Sequence, residues 1–287
     1  MKLAWVNGLL RGSGLRKGAY IAEVRVNLTD KHKRKISSIE IVQNLRPAIA
    51  ELAASSGANI KLVEDPPGPP VRATLLAELY GPDYAVLRRI AKELRNEVFN
   101  KTADVVDIDD SVTDDVTEYE IYIDREKSAL AGIPAARIVQ TLNTFIGGYN
   151  AGTIHIKGER EPVAIRFQIS SANRVRQSDL EDIYLLTPRG RKIRLSEIAE
   201  IRQHIADKQI LHKDQVPVVY VTGELASTSQ IYAIMKMRKY LESNPLPGGI
   251  KLVQNFVSAP QTGEYTLRWN GEMRLTLDVF RDLGTAF

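Results

Sequence analysis

Val71-Arg-Ala-Thr-Leu-Leu-Ala-Glu-Leu-Tyr80, then Gly81-Pro82-Asp83, then Tyr84-Ala-Val-Leu-Arg-Arg-Ile-Ala-Lys-Glu-Leu-Arg-Asn-Glu-Val-Phe99 is the stretch that decides how the chain is read. The first ten residues are apolar enough and long enough to cross a sheet. Pro82 cannot continue that strand, and Asp83 stands where a helix needs an N-cap. From Tyr84 onward, Val86, Leu87, Ile90, Ala91, Leu94, Val98 and Phe99 fall on one face of a helix. Val105, Val106 and Ile108 predict the next strand, and the alternation Tyr119, Ile121, Ile123 the one after it. A strand-helix-strand unit leaves one apolar sheet face and one apolar helix face to be completed by a second unit.

That second unit lies far downstream. Residues 216–225 are a strongly apolar strand, residues 228–241 a helix opened by Thr228-Ser-Gln-Ile231, and residues 250–256 a strand. Between the two halves the chain changes character. A helix is predicted at 134–146, closed by Gly147-Gly148, followed by short strands at 152–156, 162–169, 183–187, 192–195, 200–205 and 208–212. The implied fold is α+β: ferredoxin-like βαβ sandwich units with a mostly-β insertion. Such an insertion costs little when its ends lie close together, because loop-closure entropy grows only logarithmically with length. The strand ending near Asp124 and the one beginning near Val216 are accordingly expected to be neighbours in one sandwich.

Upstream, residues 20–28 alternate as a half-buried strand. Ser37-Ser38-Ile39-Glu40 has capping-box spacing, Ile41, Leu45, Ile49 and Leu52 form a helical stripe, and residues 58–63 read as a strand. This is a third unit of the same kind with no partner unit upstream; if it comes from a double unit, half of that has been cut away. Residues 1–17 read as a poorly ordered leader. The run Thr29-Asp-Lys-His-Lys-Arg-Lys35 reads as a solvated loop, with phosphate or lipid-headgroup contact as the alternative. Pro66, Pro67, Gly68, Pro69 and Pro70 form a stiff, extended connector between the first two units, either a spacer or the lining of a cleft between them. The acidic run from Asp104 to Glu118 lacks the glycine and terminal glutamate of a calcium loop, so it reads as a solvated hairpin tip. From Tyr265 the pattern turns helical, with Met273, Leu277, Phe280 and Phe287 on one face. Arg268, Trp269 and Arg274 ahead of an apolar end suggest a core helix or a membrane-interface segment, on a chain cut before an apolar continuation.

Composition excludes more than it selects. The 287 residues carry a net charge of +4, with acids and bases interspersed, which disfavours a nucleic-acid face. With no cysteine there is neither a disulfide nor a thiolate metal site. No run approaches the length of a membrane span, and nothing resembles a signal peptide. There is no phosphate loop and no GxSxG. His32, His155, His204 and His212 are scattered. Met1, Met235, Met237 and Met273 do not cluster, which counts against a soft-metal site. No constellation argues for an enzyme or a cofactor.

Several stretches taken in order carry a resemblance: Leu79-Tyr-Gly-Pro-Asp83, Glu120-Ile-Tyr-Ile-Asp-Arg-Glu-Lys127, Leu130-Ala-Gly-Ile133, Phe145-Ile-Gly-Gly148, Asp179-Leu-Glu-Asp182, Gly190-Arg-Lys-Ile-Arg-Leu-Ser-Glu-Ile198 and Phe280-Arg-Asp-Leu-Gly284. As a set they resemble a periplasmic loop, the second of two, of the AcrB-like resistance-nodulation-division (RND) efflux permeases. The resemblance implies a partial first porter subdomain at 18–70. It implies a second porter subdomain at 71–133 and 216–257, an inserted docking subdomain at 134–215, and a membrane-proximal segment at 258–287. It implies proton-driven export by an inner-membrane homotrimer with a periplasmic adaptor and an outer-membrane channel, this part facing the periplasm and being monomeric and soluble alone. Substrate would enter a cleft between porter subdomains, faced by Pro66, Pro67, Gly68, Pro69, Pro70, Arg72, Tyr119 and Ile121; for Tyr119 and Ile121 plain sheet core is the competing assignment. The metal-exporting branch places methionines in that cleft, and this chain has none there, so a lipophilic organic substrate is preferred, with no metal and no cofactor. The competing reading is a ferredoxin-like module binding RNA or a regulatory ligand, which would need exposed aromatics beside basic residues on one sheet face.

Overall fold

The computed structural model describes residues 21–64, 71–170, 176–246, 249–256 and 263–286. The expected leader at 1–17 and the connector at 65–70 lie outside the described residues. The chain divides into two compact units: one joins Met1–Thr113 to Gln209–Phe287, and the other is Asp114–Lys208.

In the first unit, residues 21–30 are exposed and form no strand, so the strand expected at 20–28 is not there. Helix α1 (Ser38–Ser56) forms as expected, with the Ser37 hydroxyl accepting from the Glu40 amide. Gly57 ends it in the left-handed region at φ 66°. The strand expected at 58–63 is also absent. That segment meets its neighbour through side chains and makes no backbone ladder.

Strand β1 (Leu75–Tyr80) is buried at every position. Asp83 caps helix α2 (Tyr84–Glu93), which continues through a wider-turned segment, Leu94–Phe99. Leu87, Ile90, Ala91, Leu94, Val98 and Phe99 are all buried, on the face the spacing predicts. Strand β2 (Val105–Asp110) follows. Its aspartates are not a solvated tip. Asp107, Asp109 and Asp110 pair with Arg46, Lys61 and Arg95, and Asp109 and Asp110 are buried. Charge repulsion among them is relieved by these three partners, so the run joins the sheet instead of projecting from it.

The second unit begins with β3 (Thr117–Ile123), which pairs antiparallel with β8 (Ala199–Ile205). Between them lie α3 (Arg125–Leu130), α4 (Ala135–Leu142), β4 (Tyr149–Ile154), β5 (Val163–Phe167), α5 (Gln177–Glu181), β6 (Tyr184–Leu186), β7 (Lys192–Arg194) and α6 (Leu195–Ile198). Strands β4–β5 and β6–β7 are separate hairpins. A core of Ile133, Ile138, Leu142, Leu180, Ile183, Leu185, Ile193, Leu195 and Ile198 is packed by Ile121, Ile123 and Ile201 from the β3–β8 ribbon. The excursion therefore starts at Asp114 and ends at Lys208, where the sequence suggested 134 and 215. Ile121 and Ile123 are the reason: they pack against this core, so β3 belongs to the insertion and its ladder partner is β8, not the strand at Val216.

The chain returns through β9 (Leu211–Lys213) and β10 (Val216–Leu225), then α7 (Gln230–Ser243), β11 (Val253–Asn255), β12 (Thr266–Gly271) and α8 (Glu272–Ala286). The sheet order is β11-β12-β1-β10-β2, with β9 on β10. Omitting β11 and β9 leaves the ferredoxin-like order in which the first and third strands sit centrally, both antiparallel to their neighbours. The fourth strand is β12, not residues 250–256. Strand β11 is a short edge strand parallel to β12. Trp269, suggested for a membrane interface, is fully buried in β12 and stacks on Phe99 with ring centroids 6.2 Å apart. Gly271 then turns the chain into α8 at φ 76°, and a Cβ there would lie 2.5 Å from the Ala73 carbonyl oxygen. One face of the sheet packs on α2, α7 and Met273 of α8. The other carries Leu76, Tyr80, Val218 and Tyr220.

Candidate functional site

Alternation along β1 sends Leu75, Ala77 and Leu79 to the helices, and Leu76, Glu78 and Tyr80 to the opposite face. Glu78 is wholly buried there. Its register partners are Tyr220 on β10 and Arg268 on β12. The carboxylate accepts from Lys213 Nζ at 2.5 Å, Arg268 Nε at 2.7 Å, the Tyr80 hydroxyl at 2.9 Å and Asn270 Nδ2 at 2.9 Å. Arg268 also donates to the Tyr80 oxygen at 2.8 Å and lies 3.6 Å from Asp214. Burial alone would raise the Glu78 pKa; the bonds from Lys213 and Arg268 outweigh it and hold the carboxyl below its ordinary value. Tyr80 is pushed well above the usual phenol range, first by burial and then by the Glu78 charge. Arg72, proposed from sequence for the cleft, lies over the Tyr220 ring on this same face, 3.9 Å from its centroid.

With four donors on two oxygens, Glu78 has its acceptor capacity filled. The group therefore fixes geometry: it ties the β9–β10 hairpin, whose turn residues Asp214 and Gln215 both have positive φ, to the middle of the sheet. Sequence reasoning missed Glu78, Lys213, Arg268 and Asn270. The available signal was one acid inside an otherwise apolar run, since a charge at such a position needs a buried partner.

The second unit has its own candidate, a hollow of about 670 Å³ lined by Tyr122, Asp124, Lys127, Glu181, Glu200 and Arg202 among others. The Arg202 guanidinium lies 4.2 Å from the Tyr122 centroid and donates to Glu200 at 2.8 Å, while the Tyr122 hydroxyl donates to Glu120 at 2.7 Å. That hydroxyl bond raises the Tyr122 pKa. Tyr119 and Ile121 lie on the other side of the same strand. Ile121 packs against the core of this unit and Tyr119 is 38% exposed. Of the eight proposed cleft residues, Arg72 is thus in the first unit, Tyr119 and Ile121 are in the second, and Pro66, Pro67, Gly68, Pro69 and Pro70 lie outside the described residues. Among the described residues, no group of three or more His, Asp or Glu could hold a metal ion.

Residues 1–261 match the AcrB/AcrD/AcrF family. The chain belongs to that family. Membership makes it AcrB-like, as the ordered stretches suggested, and this rests on the match rather than on the β3–β10 adjacency, which the structure lacks. Among curated relatives, the multidrug export protein AcrF of Escherichia coli (strain K12) is 20% identical over 229 residues, 80% of this chain and 20% of AcrF. The swarming motility protein SwrC of Bacillus subtilis (strain 168) is 19% identical over 188 residues, 66% of this chain and 18% of SwrC. Two crystal forms of a heavy metal efflux pump share the fold. One superposes with a TM-score of 0.57 at 16% identity, covering 85% of this chain and 24% of the pump; the other gives 0.56 at 16%, covering 75% and 21%. The chain thus spans about a fifth of the length of the curated relatives it matches.

Proposed function

We propose that this chain is the periplasmic substrate-handling and docking part of a proton-driven RND efflux transporter. The observation that carries the reading is the family match over residues 1–261. In this reading the ferredoxin-like sheet of the first unit is the second porter subdomain, residues 18–70 belong to the first, and the inserted unit is the docking subdomain. The whole transporter is a homotrimer in the inner membrane, working with a periplasmic adaptor and an outer-membrane channel. Of the cleft residues expected from the sequence, Arg72 stays a candidate for the substrate path, while Ile121 takes the competing assignment of sheet core.

A lipophilic organic substrate is preferred over a metal ion. The support is the placement of the described methionines: Met237 and Met273 are buried in the helix-covered core, away from the sheet face that carries Arg72 and Tyr220, and Met235 is half-exposed. Among the described residues, no helix is long and apolar enough to cross a membrane, which accords with a part lying outside the bilayer.

Compartment and transport are tested together. Leu130 is 90% exposed and the chain has no cysteine, so Leu130→Cys supplies a single label site in a full-length transporter otherwise free of cysteine. A membrane-impermeant maleimide should label it in intact cells with a permeabilised outer membrane. Labelling only after lysis would overturn the periplasmic placement. Cells expressing the full-length protein should accumulate less of a lipophilic dye than cells lacking it. Equal dye accumulation, with altered tolerance to metal salts alone, would overturn the substrate class.

A further inference from the structure

We infer that residues 38–64 form an arm latched onto the edge of strand β2 by ion pairs, and that raising the ionic strength releases this arm while the sheet stays folded. None of these residues belongs to any of the three buried apolar clusters. Helix α1 has no buried residue. Its attachment to the body of the unit is polar. Arg46 forms a two-pronged pair with Asp107, at 3.0 and 2.7 Å. Lys61 pairs with Asp109. The Leu62 amide donates to Asp107 at 3.1 Å, Asn59 donates to the Ile108 carbonyl at 3.1 Å, and Gln43 donates to the Ala226 carbonyl at 3.1 Å.

Strand β2 is the outer strand of the sheet, and an outer strand needs cover for its unpaired backbone edge. The arm gives that cover through side chains. Asp107 and Asp109, two apart on β2, each take one cation from the arm, from Arg46 and Lys61. Glu224 on β10 adds negative charge near Arg46 from the side of the sheet and strengthens the field that holds it. The cations are 24% (Arg46) and 33% (Lys61) exposed and their aspartates 5% and 9%, so salt reaches the pairs from the cation side and high ionic strength is needed to weaken them. An undocked α1 would not persist, because Pro47 removes one of its internal hydrogen bonds and divides the 19-residue helix into two stretches, each too short to hold alone. Release therefore reads out as loss of amide protection. The Glu78 network is the internal contrast: its carboxylate is wholly buried and, although Lys213 is as exposed as Lys61, the β9–β10 hairpin is also held by its backbone ladder and by Val218 and Tyr220 in an apolar cluster, so salt should leave it in place.

The test is hydrogen exchange on the 287-residue chain, followed by mass spectrometry. Raising NaCl from about 0.05 M to about 1 M should speed exchange in residues 41–53 and leave β1 and β10 unchanged. Arg46→Gln should speed the same amides on the order of tenfold, as the loss of a charged two-pronged bond implies. Asp107→Asn, which keeps a side chain tolerant of its φ of 51°, should do the same. The double variant should exchange no faster than either single one, because both remove one interaction. The inference is overturned if salt and both substitutions leave residues 41–53 unchanged. It is overturned equally if β1 and β10 lose protection together with the arm, or if the two substitutions multiply as independent effects.

Discussion

Helices α1 and α2 carry the same kind of apolar stripe and meet opposite fates. In α2 and its continuation, Leu87, Ile90, Ala91, Leu94, Val98 and Phe99 are at most 2% exposed; in α1, Leu45 is 48% and Leu52 56% exposed. The flanks explain the contrast. α2 runs between β1 and β2, which β10 joins into one sheet, so the chain that makes the helix also makes the surface it packs on. α1 runs between two segments that form no ladder, so no sheet lies beneath its stripe. An apolar period says that a face needs cover. It does not say which residues supply the cover.

The sharpest way to break this comparison is to truncate one leucine on each stripe. Leu87→Ala should cost about 4 kcal/mol of unfolding free energy, in the upper half of the range for a fully buried leucine whose cavity cannot collapse. Leu52→Ala should cost less than about 0.5 kcal/mol, as exposed substitutions do. Urea titration followed by tryptophan fluorescence measures both, since Trp269 sits in the core that α2 covers. Comparable losses from the two variants would mean that α1 buries its stripe after all.

A second contrast concerns how each region uses charge. Glu78 is wholly buried on a central strand of the sheet, whereas Asp107 lies on an outer strand and holds an arm that belongs to none of the apolar clusters. Glu78→Gln strands Lys213 and Arg268 without their shared counter-charge. The expected cost is about 3 kcal/mol, at the low end for breaking a buried pair because the amide keeps one acceptor. Acid should expose the same group. The folded-state pKa of Glu78 is depressed, so its contribution is complete above the unfolded-state value of about 4.5 and is lost as pH falls through the lower folded value. Acid titration of stability should therefore show a loss below about pH 4.5 that is smaller in Glu78→Gln than in the parent chain. Equal acid sensitivity in both would remove Glu78 from the account.

What was legible in the sequence was local. Asp83, the stripe of α2 and the apolar runs of β1 and β10 agree among themselves over short distances, and all of them form. What was not legible depended on partners far along the chain. Period-two alternation marked Tyr119, Ile121 and Ile123 as a strand, but alternation is silent about register and neighbour, and β8 claims that strand, not β10. In β12, Leu267 and Trp269 alternate with Arg268 and Asn270; an aromatic beside arginines ahead of a helical pattern looked like a membrane boundary, while Arg268 in fact serves Glu78, 190 residues away. Residues 58–63 have strand composition but exchange side-chain bonds with β2 in place of a ladder, which composition does not distinguish. For the candidate site, one of the sheet-face charges, Glu78, stood in plain view, yet its partners on β9 and β12 could be named only once the sheet order was known.

The finest test of the two helices uses their caps, which are chemically alike. Ser37 accepts from the Glu40 amide at 3.1 Å and Asp83 from the Val86 amide at 3.1 Å. Either cap replaced by alanine should weaken its own helix by about 1 kcal/mol. The two losses should surface in different places. Asp83→Ala should lower global stability by about that amount, because α2 cannot loosen without opening the core. Ser37→Ala should leave the urea midpoint where it was and speed amide exchange in α1 by about fivefold, since a latched arm unfolds locally before the body does. If both variants move the midpoint by the same amount, α1 unfolds with the sheet as one cooperative unit, and the contrast between a helix held by burial and a helix held by charge does not survive.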